Sequence, residues 1–141
     1  MRGRLLALPV LATLLSAAAL AQSTKSVWTG VYTAPQATNG EEVYFAACAR
    51  CHGDDLGGLE RAPALAGGTF AQRWDGANLK KLFDKVEQMP PDDPAARLTP
   101  QKSADVLAFL LSANDVPSGT ATLAPNKDAL AGITYTSQRP K

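Results

Sequence analysis

Cys48-Ala49-Arg50-Cys51-His52 is the stretch of sequence on which the interpretation of this chain depends. It contains both cysteines and the only histidine among the 141 residues. The first thiol stands three residues before the second, and the imidazole follows the second thiol directly. The side chains best suited to covalent attachment and metal ligation are therefore concentrated within one short segment of backbone.

The C-x-x-C-H spacing is the attachment signature of c-type haem. Each thiol adds to one vinyl group of the porphyrin, so Cys48 and Cys51 must lie about one helical turn apart. The imidazole of His52 must follow directly, so that its nitrogen ligates the iron of the tethered ring. We therefore expect one covalently bound haem c at Cys48 and Cys51, with His52 as an iron ligand.

Three other interpretations of these residues stay open. A thiol–disulfide exchange site usually lies near a βαβ pattern, and we find no such strand-rich pattern. A structural zinc site needs four ligands, whereas Cys48, Cys51 and His52 supply three. A plain disulfide between the two cysteines, with the histidine as an incidental neighbour, is the simplest alternative. The specificity of the motif favours haem over all three.

Met89 is the predicted second axial ligand of the iron. Apart from Met1 it is the only methionine, and no second histidine exists to fill the position opposite His52. Thioether ligation favours ferrous iron and raises its reduction potential. Pro90 and Pro91 would stiffen the loop that carries the sulfur. The alternative is a methionine that fills a gap in the core or lies in an exposed loop.

Pro63 is a candidate for orienting the histidine. A ligating imidazole usually donates its other ring N–H to a carbonyl or carboxylate, and the stretch around Pro63 is the nearest plausible source of a carbonyl. The alternative is a proline that only shapes the loop. Phe70 and Trp74 either line the porphyrin edge or fill the core, and we expect them in the core.

Residues 1–21 have the features of a secretory signal peptide. Arg2 and Arg4 precede an apolar stretch from Leu5 to Leu20, and Ala-Leu-Ala stands before Gln22. This order of basic, apolar and small residues predicts cleavage and a periplasmic mature protein. The alternative is an uncleaved anchor, although the apolar stretch is slightly shorter than the ~20 residues of a membrane span. We expect no stable span after cleavage.

The charge balance excludes one class of partner. Cleavage would remove two of the 14 basic side chains and none of the 13 acidic ones, leaving 12 against 13 and a net charge of −1. Nucleic-acid binding requires a basic patch, so we expect no nucleic-acid partner. The length indicates one domain, and a core of this size is marginal without the apolar surface that a porphyrin adds.

Local signals divide the mature chain into three parts. We predict an extended leader over residues 22–38, a domain over 39–116 and an irregular or disordered tail over 117–141. The first helix is expected to begin with Asn39 as its N-cap, and its apolar face would carry the cysteines.

Two further helices are predicted within the domain. Leu79, Leu82, Phe83 and Val86 form an amphipathic stripe that Asp75 or Asn78 would cap and that ends before the Met89-Pro90 pair. The last helix has Thr99 as its N-cap and proline at its first position. Asn114 is its expected stop.

The chain resembles the class I, single-haem cytochromes c over about residues 39–114. The resemblance rests on C-A-R-C-H, on Gly40 and Tyr44 in the first helix, and on three further segments. These are A-P-A-L at 62–65, M-P at 89–90 and D-V-L-A-F-L-L at 105–111.

This resemblance implies an all-α cytochrome c fold, in which three main helices and short turns wrap around one covalently bound haem. The first and last helices would cross closely at Gly40, with Tyr44 and Phe109 packed around the crossing. It also implies thioethers at both cysteines of the motif, the histidine as proximal ligand, the methionine as distal ligand and the Pro63 carbonyl near the imidazole.

The function implied by this resemblance is electron transfer without catalytic residues. V-W-T-G-V-Y-T at 27–33 is similar to cytochromes that accompany periplasmic quinoprotein dehydrogenases, which suggests a periplasmic dehydrogenase as donor. A terminal oxidase or another cytochrome would be the acceptor. One alternative to a monomeric carrier is a tightly bound cytochrome subunit of a dehydrogenase complex. Another is an open haem site for small gases or peroxide, against which the lack of a second histidine counts.

Overall fold

The computed structural model describes residues 24–60, 62–90 and 92–141, and the predicted signal peptide lies outside them. The predicted all-α class is confirmed, because helices dominate the described residues and the two strands are each two residues long. In chain order the elements are β1 (Lys25–Ser26), a 3-10 turn (Val27–Thr29), α1 (Ala34–Ala47), α2 (Ala49–His52), α3 (Gly67–Trp74), α4 (Leu79–Glu87), a 3-10 turn (Pro94–Ala96), α5 (Pro100–Ala113), α6 (Lys127–Ala131) and β2 (Ile133–Thr134).

The first helix begins earlier than the sequence analysis predicted. The N-cap of α1 is Thr33, whose side chain accepts a hydrogen bond from the backbone N–H of Gln36. Pro35 occupies the first turn, where its missing N–H leaves no bond unmade. The expectation that Asn39 caps this helix is wrong, because the Thr33 cap and Pro35 already start the helix upstream. The last five residues of the expected extended leader, 34–38, are therefore helical.

The caps of the two later main helices are confirmed. Asn78 accepts from the backbone N–H of Lys81 at 3.2 Å and starts α4. Thr99 accepts from the backbone N–H of Lys102 at 3.4 Å, with proline in the first turn of α5. These helices follow local rules closely because each has a side-chain cap directly before its apolar face.

Helices α1 and α5 cross at Gly40. A Cβ atom on this residue would overlap the backbone carbonyl of Asp105, so only glycine allows the two helices to approach this closely. The rings of Tyr44 and Phe109 lie beside the crossing with their centroids 5.3 Å apart. The crossing and its aromatic packing agree with the family resemblance.

Two apolar clusters fill the interior on different faces of α5. Leu107 and Leu111 belong to the large cluster, whereas Val106 and Leu110 belong to the small one. The buried members of the large cluster are Val27, Val31, Tyr32, Ala37, Phe70, Leu79, Leu82, Phe83, Ala104, Leu107, Ala108, Leu111, Val116, Leu123, Leu130 and Tyr135. Those of the small cluster are Tyr44, Ala49, Leu56, Val106 and Leu110.

Residues 116–137, which we call the C-terminal strap, pack along the domain. The side-chain amide of buried Gln36 pairs with the backbone of Leu123, donating to its carbonyl at 2.9 Å and accepting from its N–H at 2.8 Å. Further along, β2 pairs in parallel with β1, and the Trp28 indole donates to the Thr136 carbonyl at 3.0 Å. Apart from α6 and β2, these residues are irregular as expected, but long-range pairing attaches them to the domain.

None of the helices in the described part of the chain is long and apolar enough to cross a bilayer.

Candidate haem-binding site

The helical path breaks at Cys48 and places the motif on a turn of its own. Cys48 ends α1 by donating its N–H to the Tyr44 carbonyl at 2.7 Å. The N–H groups of Cys51 and His52 both lie 3.0 Å from the Cys48 carbonyl, so α2 closes on that one residue. Gly53 then leaves the turn with a φ of 81°, a conformation that favours glycine. The prediction that the cysteines simply continue the first helix is corrected by this break.

The imidazole of His52 is held by the loop that follows it. Its Nδ1 lies 2.9 Å from the carbonyl oxygen of Pro63, and because a carbonyl can only accept, Nδ1 carries the proton. The lone pair of Nε2 is then available for ligation. The loop itself is fixed by the Gly58 N–H, which donates to the His52 carbonyl at 2.8 Å. A side chain at Gly58, whose φ is 79°, would collide with the backbone of residues 62–64.

A cavity of about 930 Å³ brings the predicted site residues together. Cys48, Cys51, His52, Pro63 and Met89 all line it. Ala64, Leu65 and Leu110, which belong to the A-P-A-L and D-V-L-A-F-L-L segments, also line it. Further lining comes from residues that no sequence motif includes, among them Ala47, Leu59 and Leu98. No sequence signal marked these positions as cavity residues, because they come from separate elements that only the fold brings together.

The two aromatic residues considered for the porphyrin edge have different positions. Phe70 is buried in the large cluster, where its ring meets that of Tyr135 edge-on at 5.6 Å. It does not line the cavity. Trp74 packs partly buried against the same cluster and also lines the cavity. The expectation of a core role is confirmed for Phe70, whereas Trp74 contributes both to the core and to the wall of the cavity.

Burial raises the pKa of two side chains at the motif, those of Cys48 and Tyr44. It raises the pKa of the Cys48 thiol to about 11, with the neighbouring Cys51 thiol adding to the effect. Burial likewise raises the pKa of Tyr44 to about 12, and its hydroxyl donates to the Gly53 carbonyl at 2.7 Å. A disulfide-exchange cysteine needs a lowered pKa, so the raised value at Cys48 counts against that alternative.

The zinc alternative lacks the required ligands. Within residues 24–60, 62–90 and 92–141, no three His, Cys, Asp or Glu side chains converge in a way that would hold a metal ion. The two thiols are also unpaired, so they are free to form bonds to another group.

The volume and the lining chemistry of the cavity fit a covalently held haem. Its volume lies at the upper end of the range for pockets that bury cofactors, roughly 300–1,000 Å³. The apolar part of its wall suits a porphyrin face, and the wall presents unpaired thiols, an imidazole with a free Nε2 and one thioether. Arg50, Arg73 and Lys85 add positive charge to the lining, and Glu60 and Asp92 add negative charge.

Comparison with known proteins gives the family. The model of the family described as cytochrome C oxidase, cbb3-type, subunit III matches residues 35–110. No curated protein and no solved structure matches the chain. Because the family match spans more than half of the 141 residues, the chain belongs to this family of cytochrome c domains, whose cofactor is covalently bound haem c and whose chemistry is haem-based electron transfer.

Proposed function

We propose that this protein is a periplasmic one-electron carrier in which Cys48 and Cys51 form the thioethers to haem c and His52 and Met89 ligate its iron. The observation that supports this assignment most strongly is the 2.9 Å contact between His52 Nδ1 and the Pro63 carbonyl. This contact fixes the tautomer and the ring orientation that iron ligation through Nε2 requires. The bound haem would supply a single ferric–ferrous couple.

The residues around the site have three tasks in this proposal. The two cysteines fix the porphyrin on the α2 turn, and Pro63 holds the imidazole. Leu65, Leu98 and Leu110 restrict water at the apolar wall of the cavity, which favours a stable ligand set during electron transfer. No catalytic residue is proposed.

The identity of the methionine ligand can be tested by visible absorption. Oxidised holoprotein should show the weak far-red sulfur-to-iron charge-transfer band, and Met89→Ala should abolish the band and lower the reduction potential. Val86→Ala is the matched control, because Val86 lines the same cavity without a ligating atom and should leave the band in place. A band that persists in Met89→Ala would refute the assignment.

The same variant separates the carrier from an open haem site. Wild-type ferrous protein should bind carbon monoxide slowly, because Met89 must first leave, whereas Met89→Ala should bind it rapidly. Equal and rapid binding by both proteins would favour a site for small gases or peroxide.

Export and partners form a further part of the proposal. We expect the mature protein to begin at Gln22, to carry the mass of one haem and to appear in the periplasmic fraction. Its proposed donor is a periplasmic dehydrogenase of the quinoprotein kind, and its proposed acceptor is an oxidase or another cytochrome. The V-W-T-G-V-Y-T stretch suggests that donor only through its resemblance to other cytochromes. It is not proposed as the docking surface, because Val27, Val31 and Tyr32 are buried in the core.

A tightly bound subunit is the second candidate. It is supported by the description of the matching family, which names a subunit of an oxidase. Size-exclusion chromatography of a gently solubilised native extract would distinguish the candidates. A carrier should elute with its haem absorbance at the size of the free chain, whereas a subunit should elute with a larger complex.

A further inference from the structure

Helix α6 of the C-terminal strap is ion-paired to the end of α4. The Lys127 ammonium lies 2.9 Å from Asp84 Oδ1 and 2.6 Å from Glu87 Oε2. It also lies over the ring of buried Phe83, 5.8 Å from the centroid. The Asp84 and Glu87 side chains are 27% and 21% exposed, whereas the Lys127 side chain is 48% exposed, so solvent partly screens these ion pairs.

An apolar contact reinforces the ion pairs. Leu130, one turn further along α6, is 1% exposed and belongs to the same cluster as Leu79, Leu82 and Phe83 of α4. The short α6 helix therefore approaches α4 through both charged and apolar side chains. The strap lies outside residues 35–110, so this attachment is not part of the region that matches the family.

The last turn of α4 leads directly to Met89, which follows the helix two residues after its end. The Met89 N–H donates to the Val86 carbonyl at 3.1 Å, and the Gln88 N–H donates to the Asp84 carbonyl at 3.2 Å. Glu87, one of the two partners of Lys127, stands two residues before the methionine. Any movement of this turn would therefore move the start of the loop that carries the thioether.

We propose that Lys127 is a positioning residue for Met89, acting through Asp84 and Glu87 to hold the end of α4 and so keep the thioether at the haem. This inference rests on the proposed function, in which Met89 is the distal ligand. The strap would then contribute to the site without contacting the haem.

The test is competition between Met89 and imidazole in the oxidised holoprotein at constant pH and low ionic strength. Imidazole that displaces the methionine removes the far-red band, so the loss of the band gives an apparent affinity. Lys127→Ala should increase that affinity about 2- to 5-fold, the range that partly exposed ion pairs support. Lys127→Arg should keep the wild-type affinity for imidazole, because its guanidinium retains the positive charge and can reach both carboxylates.

Lys80→Ala is the matched control. Lys80 pairs with the same Asp84 at 2.5 Å, but both residues belong to α4. Its removal therefore deletes an equal charge and an ion pair without detaching the strap, and the imidazole affinity should stay at the wild-type value. Thermal unfolding, monitored by circular dichroism, should show that all variants remain folded at the assay temperature.

The outcomes separate this inference from the proposed function. If wild-type protein lacks the far-red band, the assignment of Met89 as ligand fails and this inference fails with it. If the band is present but Lys127→Ala binds imidazole like wild type, only the positioning role of Lys127 is overturned. An equal shift in Lys80→Ala would also overturn it, because the effect would then come from lost charge on α4 rather than from the strap.

Discussion

The large cluster contains sixteen buried side chains among the described residues and takes them from α1, α3, α4 and α5 and from both flanking segments. The small cluster has five buried side chains and seven partly buried neighbours, including Cys48, Val86 and Leu98 beside the cavity. Side chains of the strap and of the segment before α1 complete the large cluster. The small cluster leaves apolar surface that a haem would cover, so we expect its stability to depend on the cofactor more than that of the large cluster.

Removing the covalent attachment should have the largest effect on the difference in stability between the two clusters. In Cys48→Ala/Cys51→Ala we expect complete loss of covalently bound haem, since no thiol remains to form a thioether. Hydrogen–deuterium exchange should then show lost amide protection around the small cluster, while Leu79–Phe83 of the large cluster stays protected. Arg50→Ala, which changes one of the two residues between the cysteines, is the control and should retain haem. Equal loss of protection in both clusters would show that the large cluster also depends on the cofactor.

A side chain at the helix crossing should disturb both clusters together. Gly40→Ala forces α1 away from the Asp105 carbonyl of α5, the helix that both clusters share. We expect the free energy of unfolding, measured with urea, to fall by about 3 kcal/mol, the upper end for overpacking. Gly68→Ala is the control, because its Cβ would have nothing within 4 Å. That variant should change stability by less than about 0.5 kcal/mol, and an equally small effect at Gly40 would contradict the close crossing.

The smallest expected effect lies at the end of the strap. The Ser137 N–H donates to Asp75 Oδ1 at 2.7 Å, and this bond holds the pKa of the Asp75 carboxyl below its ordinary value. The folded state therefore gains stability from the ionised carboxylate above the ordinary pKa, about 4. That gain disappears as the pH falls through the lowered pKa.

Asp75→Asn should consequently be slightly less stable than wild type at pH 7, and the difference should shrink as the pH falls below about 4. Urea unfolding at several pH values would measure it. Glu41→Gln removes an exposed carboxylate from α1 and serves as the control. A difference between Asp75→Asn and wild type that is independent of pH would show that the ionised Asp75 carboxylate does not add to the stability of the folded state. The far-red band should be unchanged in Asp75→Asn, because Asp75 follows α3 and does not hold the end of α4 that leads to Met89.

Local sequence rules succeeded where one short segment contains both the cap and the apolar face. Asn78 and Thr99 start α4 and α5 as predicted, because an N-cap acts within three residues of itself. Thr33, which is followed by Pro35, and Asn39 both satisfy this rule, so local signals alone do not decide between the two starts of α1. Helix α6 has a cap at Asn126, yet its five residues are too few to show an amphipathic period.

The sequence by itself was enough to predict the cofactor of this protein, because the spacing of Cys48, Cys51 and His52 is the attachment signature of c-type haem, and the family match supports the same cofactor. Only the tertiary structure decided how the flanking segments are used. Trp28 meets Thr136 across 108 positions of the chain, and Lys127 meets Glu87 from a helix with no periodic signal. Such contacts are selected by which surfaces remain uncovered once the helices have packed, and no local pattern encodes that choice.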